Sequence, residues 1–152
     1  MITDGHLDEL KEIFVKHGVV LAYLFGSQAE GTARRSSDVD IAVLLPPGTP
    51  RTKYFDVRLD LTNELMDLLH KNEVDVVVLN EATPLLAHQI IKYGRILYED
   101  PQTRPAIDFV VYAVKRYADT EHFRKLAFVY LSEDIERYRQ RRKTKAMPEK
   151  TA

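Results

Sequence analysis

Two apolar segments, joined by a polar stretch that begins with Gly-Ser and ends with Asp-Val-Asp, constrain this chain most strongly. Residues 23–45 read YLFGSQAEGTARRSSDVDIAVLL. The apolar residues on either side predict two buried strands, and the glycine, serine and charged residues between them are typical of turns. Ten residues separate Ser27 from Asp38. The chain therefore places Gly26 and Ser27 at the end of one predicted strand, and Asp38 and Asp40 at the start of the next.

The rest of the chain alternates between helical and strand patterns, and beyond Pro101 the pattern is wholly helical. The predicted strands are residues 19–25, 38–45, 74–79 and an edge strand at 95–98, and the predicted helices include 6–17, 52–72 and 84–93. This order predicts an α/β fold with a small mixed sheet flanked by helices, followed by a helical C-terminal extension. We expect a core in residues 1–100, an extension in 101–142 that packs on the core or a partner, and a polar tail in 143–152.

The apolar stripes of the extension must be buried against the sheet or against another chain. One stripe is expected to pack within the chain, and part of the other, within residues 123–138, is expected to contact a partner. The first stripe consists of Ile107, Val110, Val111 and Val114.

Composition narrows the possible functions. The 152 residues include no cysteine, which excludes disulfides, thiol nucleophiles and cysteine-based zinc sites. The formal net charge of -1 gives no overall attraction to nucleic acid or to membranes, so direct binding to either is not expected. No segment approaches the roughly 18 apolar residues of a membrane span. We therefore expect a cytoplasmic protein.

The aspartates have the pattern of a divalent-cation site. Alternate residues of a strand share one face, so Asp38 and Asp40 point the same way and repel each other unless a cation compensates them. Mg²⁺ suits carboxylate oxygens combined with substrate phosphates. Asp75, near the start of the next predicted strand, adds a third carboxylate. Three carboxylates at neighbouring strand ends are expected to hold two Mg²⁺ ions about 3.5–4 Å apart.

The Gly-Ser turn supplies the complementary phosphate site. Glycine allows close approach of the backbone to a phosphate, and the amide and hydroxyl of Ser27 can donate to its oxygens. Arg34 and Arg35 are further candidates for nucleotide binding. Asp-x-Asp and Gly-Ser are each common in surface turns, but their order beside apolar strands is specific. We therefore interpret Gly26, Ser27 and the two arginines as nucleotide-binding residues.

The pattern Gly26-Ser27, ten residues, Asp38-x-Asp40 and a third aspartate on the next strand resembles the polymerase-β-type nucleotidyltransferase superfamily. Within that superfamily, residues 24–45 are most similar to the minimal nucleotidyltransferases of the MntA antitoxin type. The resemblance covers roughly residues 7–100. It implies a compact nucleotidyltransferase core and Mg²⁺-dependent transfer of AMP from ATP.

The resemblance also implies roles and a partner. Asp38 and Asp40 would bind both metal ions, and Asp75 would complete the catalytic metal site and assist deprotonation of the acceptor. In such antitoxins the acceptor is a tyrosine of a HEPN ribonuclease toxin, which AMP transfer silences. Many relatives carry arginine where this chain has Gln28 and Glu30, so phosphate neutralisation is expected to fall to Arg34, Arg35 or the metal ions.

Two alternatives stay open from the sequence. One is a small-molecule nucleotidyltransferase of the aminoglycoside-modifying kind, although such enzymes usually carry an additional acceptor-binding domain. The other is a non-catalytic antitoxin that masks its partner by binding. The aspartates separate the masking antitoxin from the adenylyltransferase antitoxin, because Asp38→Asn and Asp40→Asn would leave neutralisation by masking intact and would abolish enzymatic neutralisation.

Overall fold

The computed structural model of the chain describes residues 4–32 and 37–145. Four strands form one mixed sheet, and five α-helices accompany it. The strands are β1 (Leu21–Phe25), β2 (Val39–Leu44), β3 (Val74–Val78) and β4 (Arg95–Glu99). The helices are α1 (Leu7–Lys16), α2 (Thr52–Leu69), α3 (Pro84–Tyr93), α4 (Ala106–Asp119) and α5 (Glu121–Lys145).

The strand order in the sheet is β3-β2-β1-β4. β1 pairs antiparallel with both β2 and β4, whereas β2 and β3 run parallel and are joined through α2. The predicted α/β fold with a small mixed sheet is confirmed, and β4 is an edge strand as predicted. Most element bounds lie within a few residues of the prediction, and α3 begins and ends at the predicted residues.

The sheet is covered on both faces, which explains the unbroken apolar sequence of β1. Successive strand residues point to opposite faces. Ala22 and Leu24 belong to one buried cluster that includes Phe14 of α1 and Leu61 of α2. The neighbouring positions of β1 belong to a second cluster on the other face, which is built with α3 and the first half of α4. That cluster includes Leu21, Tyr23, Ile90, Phe109 and Ala113.

The prediction that the first apolar stripe, which lies on α4, packs within the chain is wrong. Ile107 and Val111 are 76% and 63% exposed, and Val110 and Val114 are also exposed. The buried residues of α4 are instead Phe109 and Ala113, which are four positions apart and therefore lie on one side of the helix. The ring of Phe109 lies 6.5 Å from the ring of Tyr23. Because α4 has apolar residues around most of its circumference, periodicity alone does not identify the side that meets the sheet.

The chain divides into two compact units, Met1–Lys115 and Arg116–Ala152. The second unit contains the end of α4 and all of α5, which runs to Lys145. Residues 146–152, within the predicted polar tail, lie outside the described part of the chain. The domain boundaries predicted at residues 100 and 142 stay predictions. Across residues 4–32 and 37–145, no helix is both long and apolar enough to cross a membrane.

Glu64 of α2 joins two helices. Its carboxylate accepts hydrogen bonds from Lys16 Nζ at 2.7 Å and from His17 Nε2 at 2.9 Å, at the end of α1. The hydrogen bond from Lys16, followed by that from His17, lowers the pKa of Glu64 from its ordinary value of 4.5. A carboxyl whose pKa is lowered by folding stabilises the folded protein above its ordinary pKa, and this contribution is lost as the pH falls through the lowered value.

We therefore expect Glu64→Gln to lower the free energy of unfolding by roughly 0.5–1 kcal/mol at pH 7, measured by urea denaturation. The difference from the wild type should shrink as the pH falls below 4.5, where the carboxylate is protonated in the unfolded chain. Asp134→Asn is the control, because Asp134 pairs with Arg137 at 2.8 Å within one exposed helix and should have a smaller effect. An equal loss in both variants would contradict a link specific to α1 and α2.

Candidate active site

β1 ends in a tight turn that begins at Gly26. Gly26–Gln28 form one turn of 3-10 helix directly after Phe25. The main-chain N–H groups of Ala29 and Glu30 donate to the Gly26 carbonyl at 3.1 and 3.2 Å, which closes the turn. Gly26 has a φ angle of +67°, in the left-handed region where side chains other than glycine are strained. Gly26, which the sequence predicted to lie in a turn, therefore forms the sharp bend that ends β1.

The three predicted aspartates come together beside this turn. Asp40 and Asp75 are direct partners in the parallel ladder of β2 and β3, and Asp38 lies one residue before β2. Asp40 is also paired with Phe25, the last residue of β1. Adjacent strands lie about 4.8 Å apart, and paired positions point to the same face of the sheet. The carboxylates of Asp40 and Asp75 therefore lie side by side at one end of the sheet.

The carboxyl of Asp40 is influenced by burial and by its two acidic neighbours. Burial raises the pKa of Asp40, and the negative charges of Asp75 and then Asp38 raise it further. Asp40 is half-buried, whereas Asp38 and Asp75 are exposed. The charged form of the Asp40 carboxylate is therefore less favourable than in water, and a nearby positive charge would favour it.

A fourth carboxylate, Glu73, was not identified from the sequence. It precedes β3 as Asp38 precedes β2, and the main-chain N–H of Val39 donates to its carbonyl at 3.1 Å. A side-chain hydrogen bond with Asp38 raises the pKa of Glu73, and the charge of Asp38 adds to this effect. The signal was present as Glu73-Val74-Asp75, which repeats the spacing of Asp38-Val39-Asp40. Only the parallel register shows that the two motifs are neighbours.

Gly26 and Asp40 are in direct contact. A Cβ atom added to Gly26 would lie 2.2 Å from Oδ2 and 3.1 Å from Cγ of Asp40. Carbon and oxygen atoms that are not bonded cannot approach so closely, so any side chain at position 26 would displace the carboxylate. Glycine at this position is therefore needed by the aspartate as well as by the bend in the backbone.

The remaining predicted nucleotide-binding residues are placed only in part. Ser27 is half-buried in the turn, and its carbonyl accepts hydrogen bonds from the N–H and the hydroxyl of Thr32, at 3.1 and 3.4 Å. Arg34 and Arg35 lie outside the described residues. The nucleotide-binding roles of Gly26, Ser27 and the two arginines stay predictions.

The carboxylates of the site suit a metal ion by their chemistry, although their side chains are not preassembled around one. Within the described ranges, no three His, Cys, Asp or Glu side chains converge into a preformed metal site. The donor set nevertheless suits Mg²⁺, because Asp38, Asp40 and Asp75 offer carboxylate oxygens, the ligands that this ion prefers. A bound cation would also relieve the repulsion that raises the pKa of Asp40. These three aspartates are the residues that would hold the predicted Mg²⁺ ions.

Comparison with known proteins identifies the family of this chain. The sequence model of the family described as polymerase beta, nucleotidyltransferase matches residues 8–103, which include the turn and all four carboxylates. The chain is 34% identical over 102 residues to the protein adenylyltransferase MntA of Shewanella oneidensis. That match covers 67% of this chain and 66% of MntA, so the chain spans just under two thirds of the relative's length.

Two solved structures share the fold. A crystal structure of a toxin-antitoxin with AMP-PNP superimposes with a TM-score of 0.70 and 26% identity, covering 83% of this chain and 98% of that chain. A tri-AMPylated Shewanella oneidensis HEPN toxin in complex with MNT antitoxin gives a TM-score of 0.67 at 22% identity, covering 86% of this chain and 99% of that chain. At that identity the second likeness shows the fold alone.

Proposed function

Because this chain belongs to the polymerase beta nucleotidyltransferase family, we propose that it is a protein adenylyltransferase antitoxin that uses ATP and Mg²⁺ to modify and neutralise a HEPN ribonuclease toxin. The observation that carries the proposal is the pairing of Asp40 with Asp75, with Asp38 beside them and Gly26 packed on Asp40. This arrangement joins a candidate metal site to a candidate phosphate turn at one end of the sheet.

The proposed reaction is AMP transfer. The hydroxyl oxygen of an acceptor tyrosine attacks the α-phosphorus of ATP, a new P–O bond forms, and the bond to pyrophosphate breaks. The proton of the hydroxyl passes to the exposed carboxylate of Asp75, while Gly26 and Ser27 hold the triphosphate through main-chain and hydroxyl donors. Mg²⁺ ions held by Asp38, Asp40 and Asp75 would neutralise phosphate charge and favour the ionised acceptor oxygen.

A protein acceptor is supported by the relatives. The Shewanella oneidensis protein is a protein adenylyltransferase, and the solved structure with AMP-PNP is a toxin-antitoxin. A tyrosine on a HEPN toxin is the acceptor that the family resemblance implies, and ATP is the nucleotide that it implies.

The proposal is tested by the intact mass of the protein encoded next to this one, which the proposal expects to be a HEPN toxin, after incubation with the chain, ATP and Mg²⁺. We expect the mass to rise by one or more AMP units and the ribonuclease activity of the toxin to be lost. Chelation of the metal with EDTA should prevent both changes, because the carboxylates would then repel the triphosphate.

Two other results would favour the alternative functions. An unmodified toxin that is silenced within a stable complex would favour a masking antitoxin. Absence of both modification and complex, together with ATP turnover on small alcohols or sugars, would favour a small-molecule nucleotidyltransferase.

A further inference from the structure

The short segment that leads into β2 is held by groups from two other parts of the chain. Lys71 Nζ donates to the carbonyl of Ser37 at 2.7 Å, and Gln28 Nε2 donates to the carbonyl of Asp38 at 3.4 Å. The N–H of Val39 donates to the Glu73 carbonyl at 3.1 Å. Three main-chain groups around Asp38 are therefore bonded, two of them to side chains.

These bonds restrain the backbone on both sides of Asp38. The Ser37 carbonyl belongs to the peptide plane that precedes the Asp38 Cα atom, and the Asp38 carbonyl belongs to the plane that follows it. A peptide unit is rigid and planar, so the backbone retains only the two rotations at each Cα atom. Restraining both planes restrains both rotations, which sets the direction of the Asp38 Cβ atom and hence the region that its carboxylate can reach.

The Lys71 end of this arrangement is itself anchored. Lys71 follows His70, which ends α2 in the left-handed conformation with φ of +49°. The main-chain N–H of Lys71 donates to the Met66 carbonyl at 3.2 Å, in the manner of a helix C-terminal cap. The Lys71 side chain is half-buried, and its ammonium group donates to the Ser37 carbonyl at a distance typical of a charge-assisted hydrogen bond. The end of α2 thus fixes the point from which Lys71 reaches across.

The Gln28 end lies in the turn at the end of β1. Gln28 is the last residue of the 3-10 turn that begins at Gly26, and its side chain is half-buried. Gln28 therefore connects the candidate phosphate turn to the main chain of a candidate metal ligand. The family resemblance implies a phosphate-binding arginine at this position in many relatives. This chain instead has Gln28, whose side chain donates to the Asp38 carbonyl.

We propose that Gln28 and Lys71 are positioning residues that act together, as the Asp38 clamp, to set the orientation of the Asp38 carboxylate. The proposal rests on the proposed function, in which Asp38 is a metal ligand of the transferase. Neither side chain is required to touch ATP or the acceptor. The two members of the clamp come from different segments of the chain. Gln28 lies in the turn after β1, and Lys71 lies in the link between α2 and β3.

The test uses Gln28→Met and Lys71→Met, which keep an unbranched side chain of the same length as glutamine and one atom shorter than lysine, and remove the donors. Partners that orient a metal ligand typically affect activity by about 10–100-fold. We expect kcat for AMP transfer to the toxin to fall by about that factor in each variant, with KM for ATP changed by less than about twofold, because ground-state contacts to ATP are retained. Lys71→Arg should recover most of the lost kcat, because it restores a cationic donor to the Ser37 carbonyl.

Lys16→Met is the matched control. Lys16 Nζ also makes a 2.7 Å bond that joins two elements, but its partner is Glu64 and not the site. The Lys16→Met substitution should leave kcat for AMP transfer unchanged. A similar loss of kcat in Lys16→Met, or an unchanged kcat in folded Gln28→Met and Lys71→Met, would overturn the clamp. An increase confined to KM for ATP would also overturn it, since that result identifies a nucleotide contact.

Amide hydrogen exchange at Val39, measured by NMR without ATP or toxin, separates the clamp from the proposed function. Exchange should be faster in Gln28→Met and Lys71→Met than in the wild type and Lys16→Met. If exchange is faster in the two variants but the wild type transfers no AMP, the conclusion that Gln28 and Lys71 restrain the backbone stands and the proposed function is overturned. Unchanged exchange together with normal transfer by the wild type would overturn the clamp alone.

Discussion

Replacing Asp40 by asparagine is expected to reduce AMP transfer by at least about a thousandfold, because loss of a catalytic charged group generally has an effect of this size. The substitution keeps the shape of the side chain and removes its charge from the centre of the site. Single-turnover transfer to the toxin, followed by intact mass, measures the effect. Transfer at the wild-type rate by Asp40→Asn would contradict the catalytic role of the carboxylates.

The same substitution is expected to increase the stability of the metal-free protein. The pKa of Asp40 is raised by burial and by its acidic neighbours, so folding favours the neutral form. A carboxyl with a raised pKa makes the folded state less stable at pH values above that pKa, and stability is gained as the pH falls through it. Asp40→Asn should therefore raise the melting temperature near neutral pH. Asp60→Asn, on the exposed side of α2, should change neither transfer nor melting temperature.

Replacing Gly26 by alanine is expected to lower the free energy of unfolding by roughly 1–3 kcal/mol, from left-handed backbone strain and from the clash with Asp40. It should also reduce AMP transfer about a hundredfold, because the added Cβ atom would lie 2.2 Å from Asp40 Oδ2 and must displace that carboxylate. Urea denaturation and the transfer assay measure the two effects. The loss of transfer distinguishes displacement of the Asp40 carboxylate from backbone strain, which affects stability alone.

Gly18→Ala is the control for backbone strain. Gly18 has a φ angle of +69°, close to that of Gly26, but an added Cβ atom would meet no atom of the described residues within 4 Å. It should lose stability from strain and keep its transfer activity. If Gly18→Ala and Gly26→Ala lose equal stability and both retain full transfer, the contact between Gly26 and Asp40 has no functional consequence.

Sequence reasoning identified the elements and the family because the signals involved are local. Apolar periodicity defines each strand and helix over a few residues, and the motif from Gly26 to Asp40 lies in one continuous stretch. The resemblance to nucleotidyltransferases is confirmed by the family match over residues 8–103. The placement of Asp75 beside Asp40 followed from expecting neighbouring strands to end together, and the parallel register shows that pairing.

The features that the sequence left unidentified depend on contacts between distant segments. Glu73 was overlooked because its position opposite Asp38 follows from the register of β2 and β3. Lys71 and Gln28 act on main-chain carbonyls, which leave no mark in residue type or spacing. The buried side of α4 was assigned wrongly because its apolar residues surround the helix, and only packing distinguishes Phe109 from its neighbours.

The parallel ladder between β2 and β3 has an evolutionary consequence. The distance between Asp40 and Asp75 is set by five consecutive residue pairs of the sheet, all of which lie within the family match. The helical segment that follows residue 103 contributes no residue to that ladder. Among the described residues, α5 contributes none to either buried cluster, so sequence changes in α5 can accumulate over evolution while the spacing of the two carboxylates is inherited unchanged.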